Sequence, residues 1–463
     1  MIDIAEIRQA IAGLPRADNH RPGEPVEVAE VYMASSHRRA LDLDRPVVFG
    51  NRGMGKSFWA HALLNPEIRA QLARALRFPA LESTQVIVGF NASERTDGIA
   101  PSPAILIEAS KERKAESLWR AVLARAAAPQ IGESLPERFT DLVTWVEADA
   151  ERCARLLTRA DDALQAQGRK LLVLFDALDR LGSDWSTVRA RTRGLLQLAL
   201  ATQSFRAIRV KLFLRRDQHS ELRLYDFPDG SKLLNTAVEL AWDWLDLYQL
   251  LFVRLRTNPA FRQLEAELGS REPRLLVEAL AGQHMGSPKR GHVFTWIPIH
   301  LADALRQISP RTFLTAWREA ASHGPRPQNT PVDHQGILEG VRRASEDRFA
   351  ELSQDYPWVR ALLEPLRGQM VPMEHDRLLE LWRSSGAAVN ASLQSQNEDK
   401  PVLVPRREQD DSLEIIFLKA LEFIGVLEVR KNGKVDVPDI FRVEAGIKRR
   451  GGVKPPVRTR SAR

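Results

Sequence analysis

The chain has 463 residues, 44% hydrophobic and 27% charged, a composition that suits a globular protein of two or three domains and excludes a disordered or fibrous one. No apolar run reaches the roughly 18–20 residues that cross a bilayer, and residues 1–20, with Asp3 and Glu6 and no apolar stretch, do not read as a secretory signal. The one cysteine, Cys153, excludes an internal disulfide and reads as a small helical side chain; no Cys/His group has zinc-ligand spacing, and a cytoplasmic protein is expected. The net charge of +7 belongs to one end. Residues 447–463 carry Lys448, Arg449, Arg450, Lys454, Arg458, Arg460 and Arg463 and no acid, so the rest is formally neutral and only this tail suits phosphates or an acidic partner.

In chain order, the first region alternates apolar, β-rich runs with helical stretches, the pattern of a parallel sheet covered on both faces. Strands are predicted at Pro46–Phe49, Thr84–Phe90, Lys170–Phe175, Ile208–Leu214 and Thr236–Ala241, and helices at Ser57–Leu64, Ala115–Ala128, Thr140–Gln167 (broken) and Ser186–Gln203. From Trp242 the pattern turns helical: WLDLYQLLFVRLR sets Leu245, Tyr248, Phe252 and Leu255 on one face. Further helices are predicted at Pro273–Ala281, Thr295–Gln307, Arg311–Ser322 and Val332–Asp355, with loops at Ser322–Thr330 and Ala391–Pro405. The last unit offers helices at Tyr356–Arg367, Glu374–Ser385 and Ser412–Ile424. After them come strands Val426–Val429 and Lys434–Val437 around Asn432-Gly433, a strong hairpin signal. Helices followed at once by a hairpin describe a winged helix.

Gly50-Asn51-Arg52-Gly53-Met54-Gly55-Lys56-Ser57 fits GxxxxGK[ST] without a mismatch, with a strand before it and a helix after it. The chemistry needs each part. Glycines let backbone N–H groups turn toward phosphates at a helix N-terminus, Lys56 reaches the β- and γ-phosphates, and the Ser57 hydroxyl joins the Mg²⁺ shell. Downstream, KLLVLFDALDR ends an apolar strand in Asp176, where an acid holds Mg²⁺ beside such a loop. A Glu that orients the attacking water follows at once in many ATPases; here that position is Ala177. Asp179 is then the nearest acid for the role, with capping of the next helix as the structural alternative.

This run of strand, Asp, small residue, apolar residue and Asp resembles the second acidic motif of the STAND and KAP-type P-loop ATPases, relatives of the AAA+ class. The resemblance covers about residues 30–260 and implies that Asp179 acts in hydrolysis. The end of IRVKLFLRRD resembles the fourth-strand sensor arginine of that class, which implies that Arg215, with Arg216 as the alternate, reads the γ-phosphate by a fork of hydrogen bonds. It further implies strand order 5-1-4-3-2, and places Arg311 as a second sensor or as a brace of the helical lid. His37 is by position alone a candidate for the adenine side. Arg189, Arg191 and Arg193 are candidate fingers toward a neighbour, although three residues at spacing two cannot share one helical face. The tryptophans, mostly within predicted helices, read as packing.

The expectation is an α/β P-loop NTPase with a five-stranded, mainly parallel sheet, a helical lid and a C-terminal winged-helix-like domain. Its divisions are expected at 1–260, 261–350, 355–445 and a basic tail 446–463. ATP and Mg²⁺ are the expected ligands. The resemblance implies a hydrolysing switch that acts on a protein partner or effector in bacterial defence or regulation, as an ATP-dependent homo-oligomer and without a membrane. Two alternatives stay open: an origin-recognition-like ATPase that binds duplex DNA through the winged helix and tail, and a nucleotide-gated scaffold with little turnover.

Overall fold

The structure, a computed structural model, describes residues 2–15, 26–95, 98–111, 113–325, 327–397, 402, 404 and 408–451. The chain divides into two compact units, His20–Ala241 and Met1–Asn19 with Trp242–Arg463.

The first unit is built on five strands: β1 (Val47–Gly50), β2 (Thr84–Phe90), β3 (Lys170–Phe175), β4 (Ile208–Arg215) and β5 (Val238–Glu239). They lie in the order β2-β3-β4-β1-β5 with every pairing parallel, the order that the sequence resemblance implied. Leu171 to Phe175 are all buried, as a strand covered on both faces requires. Gly89 lies at an irregularity of the β2–β3 ladder, where a β-carbon would stand 2.6 Å from the Phe175 ring; no larger residue fits there. The crossover from β2 to β3 carries the helices Pro103–Ala109, Ala115–Ala127, Phe139–Ala148 and Ala150–Ala166. The predicted break in the last pair falls at Asp149, whose side chain caps the second helix by accepting from Arg152 N. Trp119 packs edge-on against Phe90 and Phe175 in this core and donates its indole N–H to the Arg191 carbonyl at 2.9 Å.

In the second unit the helix Ile4–Ala12 belongs with the helices after Trp242, whereas the sequence had grouped residues 1–260 together. Arg8 donates to the carbonyls of His323, Gly324 and Pro331, and Asn258 Nδ2 donates to Glu6 at 3.0 Å. The helices Pro310–Ser322 and His334–Asp355 approach so closely that a β-carbon on Gly336 or Gly340 would collide with the carbonyls of Ala320 and Ala316. Tyr248, Phe252 and Leu255 are buried as expected, but Leu245, in the first turn of its helix, is exposed. The helix predicted to reach Gln307 stops at Leu301. It contains Pro298, and Asp303 then closes a turn by accepting from Gln307 N at 2.9 Å.

The winged-helix architecture is present. Strand β6 (Met370–Val371) follows the helix Trp358–Leu363; β7 (Glu428–Val429) and β8 (Val435–Asp436) form the antiparallel hairpin, with Gly433 at φ 78° in its turn. Met373 and Val435 exchange backbone hydrogen bonds of 2.9 and 2.8 Å, joining the β6 segment to the hairpin, and β9 (Lys448–Arg449) runs parallel to β6. The expected loop at Ala391–Pro405 is corrected in its first part, because Ala387–Asn397 is a helix. Its buried side is Ala387, Ala388, Ala391 and Ser395, small side chains that give too weak an apolar stripe to register in the sequence. Residues 452–463 of the basic tail lie outside the described residues. No helix among the described residues is long and apolar enough to cross a membrane.

Candidate nucleotide site

The site is built at the C-terminal edge of the sheet. β1 ends at Gly50, where a β-carbon would come within 3.1 Å of the Leu240 carbonyl beside β5. The chain then turns through Gly53 (φ 78°) and Gly55 (φ 94°), left-handed positions that favour glycine, while Met54 tucks its side chain into the interior. Gly55 is the N-cap of the helix Lys56–Ala62, and Ser57 lies exposed in its first turn. The Lys56 ammonium donates to the Gly50 and Asn51 carbonyls, 2.8 Å each. Enclosure in the loop pushes its pKa down to about 8, opposed mainly by the Asp176 carboxylate and also by Asp179 and Asp217, while Arg215 pushes it lower.

The acids arrive from the next strands. Asp176 directly follows β3, donates its backbone N–H to the Phe90 carbonyl at 2.9 Å, and is buried. Ala177 then takes φ 55°, an uncommon conformation for a residue with a β-carbon, and turns the chain into the short helical turn Leu178–Arg180. Buried Leu178 anchors that turn, which carries Asp179 with its side chain 40% exposed. On β4, Arg215 is in register with Gly50, which puts it beside the phosphate loop. Its Nη1 faces Asp179 Oδ2 at 3.7 Å; Nε and Nη2 bind Asp217 Oδ1 and Oδ2 at 3.0 and 2.9 Å. The alternate, Arg216, binds Glu239 of β5 instead. Thus Lys56, Asp176, Asp179 and Arg215 gather in one electrostatic cluster, and Arg215 rather than Arg216 faces it.

Asp217 was missed in the sequence. Its signal was an acid two residues beyond a strand-ending arginine, close enough to grip that guanidinium from the same turn. Several other candidates are engaged elsewhere. His37 is buried: its Nδ1 accepts from Trp59 Nε1 at 3.2 Å and its Nε2 donates to the Ala241 carbonyl at 3.2 Å. Burial pushes the ring down to about 4, a neutral imidazole committed to holding the chain together rather than offered to a base. Arg311 binds Glu351 within its own unit and braces the helices Pro310–Ser322 and His334–Asp355. The three candidate fingers are also taken: Arg189 by Glu221, Arg191 by the Leu181 carbonyl and Ser110, and Arg193 by the Asp226 carbonyl. Cys153 is buried, which raises its thiol pKa and fits an inert side chain. Trp59, Trp119, Trp317, Trp358 and Trp382 are fully buried packing residues.

Sheet order, phosphate loop after β1 and acid after β3 define an α/β P-loop NTPase fold with a helical part and a C-terminal winged helix. No family model and no curated protein matches the sequence. Among solved structures, the chain is similar to ORC1 of Aeropyrum pernix in complex with DNA, at 14% identity over 95% of both chains with a TM-score of 0.35. It is also similar to ORC2 of the same organism in ADPNP–ADP complexes (14% identity, 93% of both chains, TM-score 0.31). The Cdc6p of Pyrobaculum aerophilum is a third such structure (11% identity, 86% of this chain and 84% of that one, TM-score 0.33). Likenesses this distant carry no weight beside the sheet order and loop of the chain itself.

Proposed function

We propose that the chain is a cytoplasmic ATPase of the STAND/KAP type, a switch that binds and hydrolyses ATP at the edge of its sheet and acts on a partner protein. The observation that carries this reading is the gathering of Lys56, Asp176, Asp179 and Arg215 around the loop that follows β1. The residues fit the ligand: an ammonium resting on two neutral carbonyls of its own loop is poised to exchange them for phosphate oxygens, which bear charge. Ser57 and Asp176 would hold Mg²⁺, which when bound supplies positive charge to the β- and γ-phosphate oxygens. Asp179, the more exposed acid, accepts the proton of the attacking water, and Arg215 reads the γ-phosphate. The covalent route from this site to the second unit is the segment after β5, where His37 grips the Ala241 carbonyl.

A second reading, duplex DNA as the partner, is favoured by one feature of the winged helix. A cleft of about 320 Å³ lies among β6, the hairpin and Arg450; Arg450 lines it together with Arg377 and Lys434, which pair with Glu380 and Glu374. The helix Leu413–Phe423 before the hairpin does not help that reading. Its one lysine, Lys419, is bound to Asp411, and Glu422 accepts from Val429 N. ATP turnover with Mg²⁺, with and without duplex DNA, separates the readings for wild type and Asp179→Asn. Turnover lost in the variant while ATP still binds supports the switch, and stimulation by DNA makes DNA the partner. Binding without turnover in the wild type leaves a nucleotide-gated scaffold and removes Asp179 from its role.

A further inference from the structure

Arg215 carries five N–H donors on one rigid plane, so whatever fixes that plane decides what the remaining donors can reach. Asp217 fixes it. Its two oxygens take Nε and Nη2 side-on at 3.0 and 2.9 Å, and the pair is largely shielded from water, with 10% of the Asp217 side chain and 18% of the Arg215 side chain exposed. The carboxylate is itself held: Oδ1 accepts from Gln218 N at 3.0 Å, while Gln218 Oε1 accepts from Arg215 N at 3.1 Å. The next residue, His219, stacks on Phe49 of β1 at 3.8 Å and shares a 2.6 Å hydrogen bond with Tyr225 Oη. The mount of Arg215 is therefore tied to the strand that leads into the phosphate loop. By contrast, the Arg215 Nη1 to Asp179 separation of 3.7 Å is an ion pair without a hydrogen bond, looser than the pair with Asp217.

We propose that Asp217 is a positioning residue that holds the Arg215 guanidinium so that its Nη1 side faces Asp179 and the phosphate loop, where it reads the γ-phosphate of ATP. This rests on the reading of the edge as an ATP site. The γ-phosphate gives Arg215 a contact that ADP cannot offer. If Asp217 loses its charge, the side-on pair that fixes the guanidinium plane is lost. Discrimination between ATP and ADP is then lost although the charge of Arg215 remains.

The test is equilibrium binding of ATP and of ADP, each with Mg²⁺, to the full chain as wild type, Lys56→Ala, Arg215→Lys and Asp217→Asn. The expected result for Asp217→Asn is an ATP/ADP affinity ratio roughly tenfold below wild type, with ADP affinity unchanged, since one charge-assisted contact of that size is removed. Arg215→Lys, which keeps the charge and cannot make the side-on pair, is expected to lose the ratio in the same way, and it tests the proposal even if Asp217→Asn does not fold. A wild-type ratio in either folded variant overturns the proposal, and so does a parallel fall of both affinities, which marks a merely structural pair. Failure of the underlying reading looks different: the wild type binds neither nucleotide, or Lys56→Ala binds both as the wild type does.

Discussion

The β1–β4 pair holds a lysine near each of its ends, and the two differ in how fully their protons are used. Lys211, one residue before the first β1–β4 pair (Val47 with Leu212), is completely buried and donates to three carbonyls, those of Ala40, Asp42 and Arg45, at 2.9, 2.8 and 2.7 Å. Three donors meet three acceptors, and the ammonium fastens the segment before β1 to the sheet. Lys56, at the other end, donates to two carbonyls of its own loop and has Asp176, Asp179, Asp217 and Arg215 in its field. Both are lysines on backbone oxygens with depressed pKa values, down to about 7 and about 8. Saturation separates them: a charge whose donors are all spent is structural, and one with a donor to spare among charged partners is available to a ligand.

Substitution at each end sharpens this contrast. Lys56→Ala should lower ATP affinity and turnover by at least ~100-fold while moving the melting temperature little, because its loop carbonyls can turn to water. Lys211→Ala should do the reverse, costing roughly 3 kcal/mol or more of stability by leaving three buried carbonyls without a donor, read by urea unfolding. ATP affinity per folded molecule is expected to hold. If Lys211→Ala instead abolished nucleotide binding without loss of stability, the distinction between the two lysines would fail.

Acid provides an effect with a defined sign. His37 and His219 are pushed from 6.5 down to about 4, both chiefly by burial, with Arg216 adding to the effect at His219. Each folded pKa lies below its unfolded value, so the contribution to stability is complete above pH 6.5 and is lost as pH falls from about 6.5 to about 4. The loss is roughly 3 kcal/mol per histidine at the acid end. Unfolding free energies measured across that window should fall as pH falls, and His37→Gln should flatten part of the slope. The smallest expected effect is at Ala177. With φ 55°, Ala177→Gly should gain about 1 kcal/mol, whereas Ala177→Glu should not raise turnover, because a residue turned into the left-handed region does not aim its side chain as a strand residue would.

The sheet was legible because its strands are unbroken apolar runs, and the phosphate loop because its glycines and lysine have few other uses in that spacing. Lys211 was visible only as an interruption of IRVKLFL; that it was a structural fastener depended on three carbonyls from residues 40–45, which no local pattern announces. His37 was read from its place ahead of the loop, and its partners, Trp59 and Ala241, come from distant parts of the chain. The choice between Arg215 and Arg216 needed the register of β4 against β1: the strand ends at Arg215 opposite Gly50, and Arg216 already opens the next helix, Arg216–Ser220, and turns to Glu239. Asp217 and the alanine-faced helix Ala387–Asn397 were missed for opposite reasons, one a polar contact within a turn and the other a packing face too small to stand out.

If the edge holding Lys56, Asp176, Asp179 and Arg215 is a triphosphate site, calorimetric titration of ATP with Mg²⁺ into wild type and Lys56→Ala will reveal it. One ATP is expected per wild-type chain, with no measurable binding by a Lys56→Ala chain that melts at the wild-type temperature. Absence of binding by the folded wild type, or equal binding by the variant, would contradict that assignment.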